Sequence, residues 1–124
     1  MRILGIDYGT KRVGLAISDV EEKIAFPLGV MPNSPSLVRE LIVLIAEKEI
    51  GRIVIGESLK GDGRENALME EVHIFVKKLI EAHPIEVAFM NESLTTIEAR
   101  RASVESRVDA QAATLILQRY LEKN

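Results

Sequence analysis

The chain has 124 residues, 47% of them hydrophobic and 28% charged, with no cysteine and a formal net charge of −3. That length and apolar content suit one domain with one packed core, the missing thiols exclude disulfides and thiolate metal sites, and the acidic balance argues against binding nucleic acid through bulk positive charge while leaving room for a local basic patch. No apolar run reaches membrane-spanning length and the N-terminus opens on a strand pattern rather than a signal peptide, so the expectation is a cytoplasmic protein without membrane association.

In chain order, Arg2 to Asp7 reads as a buried strand that ends on a carboxylate. The turn Tyr8 to Lys11 leads to a second strand, Arg12 to Ser18, where Val13, Leu15 and Ile17 alternate with Gly14, Ala16 and Ser18. The face of small residues suggests that another element packs closely over it. A third strand, Ile24 to Met31, contains Pro27 and so suits a sheet edge. Pro32-Asn33-Ser34-Pro35-Ser36 is a helix start signal, and Leu37, Val38, Leu41, Ile42 and Ile45 follow at helical spacing, with Gly51 expected to end that helix. Ile53 to Gly56 is a short apolar run of the kind buried on both faces. A loop from Glu57 to Arg64 precedes a second helix with its stripe at Leu68, Val72, Phe75, Val76, Leu79 and Ile80, broken by Pro84. Ile85 to Met90 is the fifth strand, and two helices over Thr96 to Ser106 and Asp109 to Glu122 close the chain.

The order predicts an α/β fold with one mixed five-stranded sheet, in which strands 1–3 form an antiparallel meander, strands 4 and 5 are parallel, and helices cover both faces. With the first, fourth and fifth strands parallel, their carboxyl ends share one edge, where open α/β sheets bind ligands. Asp7, Glu57 and Glu92 all fall at such ends. Each acid also has a plainer reading: Asp7 suits an Asx-turn, Glu92 a solvated loop, and Asp109 the N-cap or first turn of the last helix. Taken together, acids at neighbouring element ends have the oxygen donors that hard divalent ions such as Mg²⁺ or Mn²⁺ need, and holding them ionised side by side is costly without a cation. His73 and His83 are too few for a histidine metal site, and no Ser-His-Asp arrangement is evident. Lys60, Arg64, Arg100, Arg101 and Arg107 are candidate phosphate contacts, although Arg100 and Arg101 read better as a solvated helix face. Lys11 and Arg12 are better placed because the turn sets them beside Asp7.

Four stretches, "MRILGIDYGTKRVGLAISD", "LKGDGRENA", "NESLTTIEARR" and "VDAQAATLILQRYL", together resemble the successive sequence blocks of the YqgF/RuvX family over essentially the whole chain. The resemblance implies a single RNase H-like nuclease domain over residues 1–124, of a family to which pre-16S rRNA nuclease and Holliday junction resolvase activities are ascribed. It carries the catalytic, metal-holding acids onto Asp7, Glu92 and Asp109, demotes Glu57 to a compensating ligand at most, and implies a two-metal site for Mg²⁺ or Mn²⁺. Gly9 then keeps bulk away from a substrate phosphate, while Thr10, Lys11 and Arg12 offer a hydroxyl and positive charge beside it. The implied partner is nucleic acid, either the small-subunit rRNA precursor or branched DNA, handled by a monomer or homodimer.

The chain departs from the family pattern in three places. Asn91-Glu92-Ser93 stands where an acid-Glu-Arg sequence is usual, Gly56-Glu57-Ser58 where Gly-Leu-Pro is usual, and "RRASVESRVDA" lacks the lysine-rich loop that normally precedes the last aspartate. Fewer basic contacts should weaken nucleic-acid affinity and flatten its salt dependence. Two alternatives to rRNA processing are therefore carried: a junction-resolving DNA endonuclease, and a non-catalytic nucleic-acid or ribosome-binding module. "GIDYGT" also resembles the first phosphate loop of the actin, Hsp70 and sugar-kinase group, but that group needs a second similar domain for which this chain has no room.

Overall fold

The computed structural model describes residues 1–57, 63–91 and 110–123. Five strands form one sheet: β1 (Arg2–Tyr8), β2 (Arg12–Ser18), β3 (Ala25–Pro32), β4 (Ile50–Glu57) and β5 (Glu86–Asn91). Three helices lie among the described residues: α1 (Leu37–Glu47), α2 (Gly63–Ala82) and α3 (Ala110–Lys123). The helix expected over Thr96 to Ser106 lies outside the described residues.

The strand order is β3-β2-β1-β4-β5. β1 pairs antiparallel with β2 and β2 antiparallel with β3, whereas β1–β4 and β4–β5 are parallel. This is the expected mixed sheet, with the meander on one side and the parallel strands on the other. Pro27 sits where it was expected, on an edge strand, next to an irregularity between Leu15 and Ala16 that leaves Leu28 as the extra residue opposite them. Gly29 follows with φ +153°, a conformation open to glycine and costly for a side chain.

Strand alternation divides the interior into two layers. Leu4 and Ile6 of β1, Val13 and Leu15 of β2, and Ile53 and Ile55 of β4 pack with Leu37, Leu41 and Ile45 of α1 and with Val72, Phe75, Val76 and Leu79 of α2. The opposite face carries Ile3, Ala16, Val54 and Met90 against Ala113, Ile116, Leu117 and Leu121 of α3. The small face read from β2 is thus the seat of α3, as its composition suggested. The helical stripes hold except at Ile80, which is exposed.

Gly51 does not end α1. The helix stops at Glu47, the Lys48 N–H bonds the Leu44 carbonyl at 2.9 Å, and Glu49 takes the left-handed conformation at φ 55° that glycine usually fills there. Gly51 lies inside β4, where an added Cβ would stand 2.8 Å from Met1 Sδ. The glycine signal therefore reports a side chain lying over the strand, not a helix stop. A related constraint acts at Gly5, whose Cβ would come within 2.8 Å of Leu117 Cβ and 3.2 Å of the Ala113 carbonyl.

Two stability changes follow. Gly5→Ala must push α3 off the sheet and should cost about 1–3 kcal/mol. Glu49→Gly should instead raise stability by about 0.5–1 kcal/mol by relieving the left-handed side chain. Urea unfolding midpoints of the two variants check both signs.

Candidate active site at the carboxyl edge of the sheet

β1 occupies the middle of the sheet, and the chain reverses direction across it: β2 and β3 lie to one side, and β4 and β5 to the other. That makes the β1/β4 boundary a topological switch point, open at the carboxyl ends of the parallel strands. Asp7 stands there. It is 2% exposed, one of two buried polar or charged side chains among the described residues, and it shares its face with Ile3 and Gly5 beneath α3.

The direction of α3 sets what surrounds that carboxylate. The Arg52 Nη1 group, near the start of β4, donates to Tyr120 Oη at 2.8 Å, so the end of α3 lies over the strand starts. Leu117 and Ala113 lie over Gly5. The first turn of α3, from Ala110, is therefore directed toward the Asp7 edge. The positive end of a helix favours an anion near it, whether carboxylate or phosphate. On the meander side, the Ala25 N–H donates to Gln118 Oε1 at 2.9 Å and so ties α3 to β3.

The residues beside Asp7 in the sheet are both glycines. Asp7 is directly opposite Gly14 of β2. In the parallel ladder Ile6 pairs with Ile55, so the next residue of β4 along from Asp7 is Gly56. Both lateral neighbours of the carboxylate thus lack a side chain. On the other face, Tyr8 stacks against Phe75 with ring centroids 5.1 Å apart, which pins the strand end from below. A groove of about 270 Å³ lined by Tyr8, Asn33, Leu37, Ile74, Phe75 and Lys78 lies on that face, across the sheet from Asp7.

Gly9 is buried in the turn after β1, whereas Thr10, Lys11 and Arg12 are exposed. Arg12 opens β2 two residues before Gly14 and so belongs to the Asp7 face of that strand. The turn itself is held from the end of β3: the Asn33 Nδ2 group donates to the Gly9 carbonyl at 2.7 Å, and the Asn33 N–H donates to the Lys11 carbonyl at 2.9 Å. Asn33 figured in the sequence only as part of a helix start signal. Its partners lie 22 and 24 positions away, and no local pattern could have named them.

The structure brings Asp7, Gly9, Thr10, Lys11 and Arg12 to one corner of the molecule. Glu92, Asp109 and Lys60 lie outside the described residues. Arg64 falls within α2 rather than in the preceding loop, because the helix begins at Gly63. Glu57 is the last residue of β4, paired with Asn91 of β5. Among the described residues, no group of three or more histidines and acids is gathered in a way that could hold a metal ion. None of their helices is long and apolar enough to cross a membrane.

Comparison with known proteins gives this corner its context. The chain is 35% identical to a protein of Maridesulfovibrio salexigens named "Putative pre-16S rRNA nuclease", over 99% of each chain. A protein of Protochlamydia amoebophila with the same name is 38% identical, over 98% of this chain and 93% of that one. In structure the chain is similar to T. thermophilus RuvC in complex with a Holliday junction substrate, with a TM-score of 0.63, 16% sequence identity and coverage of 99% and 94% of the two chains. That likeness, together with the strand order, establishes the RNase H-like fold. A family model described as "RuvX: Holliday junction resolvase" matches residues 1–123, and with relatives this similar over their full length the chain belongs to the RuvX family.

Proposed function

We propose that this single domain is a metal-dependent nuclease that hydrolyses phosphodiester bonds and trims the 5′ end of the small-subunit rRNA precursor, with Asp7, Glu92 and Asp109 as its catalytic acids. The observation that carries the reading is Asp7 itself: a buried carboxylate on the central strand, flanked laterally by two glycines and bordered by an exposed Thr10-Lys11-Arg12 run. The names of the relatives supply the substrate, and their full-length similarity supports carrying it over.

Nucleases of this fold generally work with divalent ions, and the residues present suit such an ion. Carboxylate oxygens are the hard donors that Mg²⁺ and Mn²⁺ prefer, and a cation offsets the cost of ionising an acid as buried as Asp7. In sequence, Glu92 directly follows β5 and Asp109 directly precedes α3, which supports counting them with Asp7. When bound, paired ions supply charge neutralisation and an activated water for phosphodiester hydrolysis. The chain's own part is to hold the acids fixed and to seat the phosphate: Asp7 is set by its strand, Gly9 keeps the approach free of a side chain, and Lys11 and Arg12 offset the charge of the flanking phosphates. Lys60 and Arg64 add positive charge from the segment after β4.

A second reading, cleavage of branched DNA, has the family model's description in its favour. One assay separates the two. Purified protein is incubated with Mg²⁺ or Mn²⁺ and either a 5′-extended small-subunit rRNA fragment or a four-way DNA junction, beside Asp7→Asn. Cleavage of the RNA alone is expected. The substitution should slow it by at least about a hundredfold, the upper end of what the loss of an outer-shell metal partner costs. Mn²⁺ should raise the melting temperature of the wild type and leave that of Asp7→Asn unchanged. Cutting of the junction alone would reassign the substrate to DNA, and no cutting of either by folded, metal-loaded protein would make the chain a binding module.

A further inference from the structure

We infer that Asn33 is a positioning residue of the phosphate-binding corner, holding the Gly9–Lys11 turn in its binding conformation before substrate arrives; this rests on the nuclease reading above. Three observations converge on it. Asn33 makes two hydrogen bonds to one three-residue turn, through its side-chain amide at 2.7 Å to Gly9 and its backbone N–H at 2.9 Å to Lys11. Both acceptors are carbonyls, so the negative ends of those two peptide groups are engaged by Asn33 rather than left to repel an anion. The anchor is also stiff. Asn33 is half-buried at the junction of β3 and the turn that starts α1, where the Leu37 N–H bonds the Ser34 carbonyl at 3.0 Å and the Ser36 hydroxyl bonds Glu40 at 2.7 Å.

The Gly9–Lys11 turn, exposed at Thr10 and Lys11, would otherwise be less ordered before binding, and the remaining ordering would be subtracted from the affinity. Lys11 lies inside the tethered turn, and Arg12 is peptide-bonded to it. Without Asn33 the same two cations remain, spread over more conformations, and they meet the phosphates less often. The loss should therefore appear as weaker binding and a shallower salt dependence, with the acids untouched.

The test is a double-mutant cycle on binding of a 5′-extended small-subunit rRNA fragment, read by fluorescence anisotropy in EDTA so that nothing is cleaved, over a range of salt concentrations. Asn33→Ala is compared with the paired change Lys11→Ala and Arg12→Ala, and with all three together. Loss of one hydrogen bond of this kind predicts roughly three- to tenfold weaker binding for Asn33→Ala. Its slope of log affinity against log salt should move toward that of the Lys11/Arg12 variant, and the triple variant should bind no worse than that variant. A merely structural defect would lower the melting temperature without changing the slope. Wild-type affinity and slope in Asn33→Ala, or penalties that simply add in the triple variant, would overturn the assignment. Should Asn33→Ala not fold, Asn33→Leu, of similar volume and without a donor, takes its place in the same cycle. If the Lys11/Arg12 variant binds RNA as tightly as the wild type, the phosphate-contact reading fails and this assignment falls with it; if only Asn33 is silent, the inference alone fails.

Discussion

The contact between α3 and β1 at Gly5 sets the rest of the site. With no side chain at that position, the helix rests directly on the strand, where a Cβ would meet Leu117 Cβ at 2.8 Å. A rigid helix seated on a rigid strand at one point, and tied by Arg52–Tyr120 at one end and Ala25–Gln118 along its side, has little freedom to slide. Its first turn is thereby fixed relative to the carboxyl end of β1, two residues beyond the contact. Asp7 sits at that end, on a strand hydrogen-bonded on both sides. A central strand fixes such a carboxylate more closely than a loop would.

The two faces of the sheet divide the work. The α1/α2 face carries large aliphatic side chains and supplies most of the burial that drives folding. The α3 face is built from smaller residues, including Gly5, Gly14 and Ala16, and gives up buried area for close approach of the helix. Tyr8 joins the two, since its stacking on Phe75 holds the strand end that presents Asp7 on the other side. The site thus draws its rigidity from the face that does not take part in it.

Much of this could be read from the residues. Alternation in Arg12–Ser18 and the proline at position 27 each have a local physical cause, and each was found where that cause put it; the acid expected to close the first strand lies one residue short of its end, because Tyr8 still pairs with Val13. What escaped reading depends on contacts distant in sequence. Gly51 looked like a helix stop because glycine usually serves as one, yet Glu49 accepts the left-handed conformation and Gly51 yields to Met1 instead. Gly14 was legible as a small residue but not as the cross-strand partner of Asp7, because register is settled by the whole hairpin. Asn33 was invisible as a tether, since its acceptors belong to a turn from another part of the chain. Glu92 and Asp109 rest on the family resemblance.

The charge balance gives that tether its weight. A chain with a net charge of −3 draws little on long-range attraction to a polyanion. The turn after β1 offers two cations, Lys11 and Arg12, so each must contribute close to its full value there. A disordered lysine can be compensated by several others in a basic loop; one of two cations at a single corner cannot. Under that constraint affinity is better gained by fixing the existing charges than by adding more, because each ordered phosphate contact still releases about one counterion. Asn33 fixes them with two hydrogen bonds to a turn that needs no further basic residue.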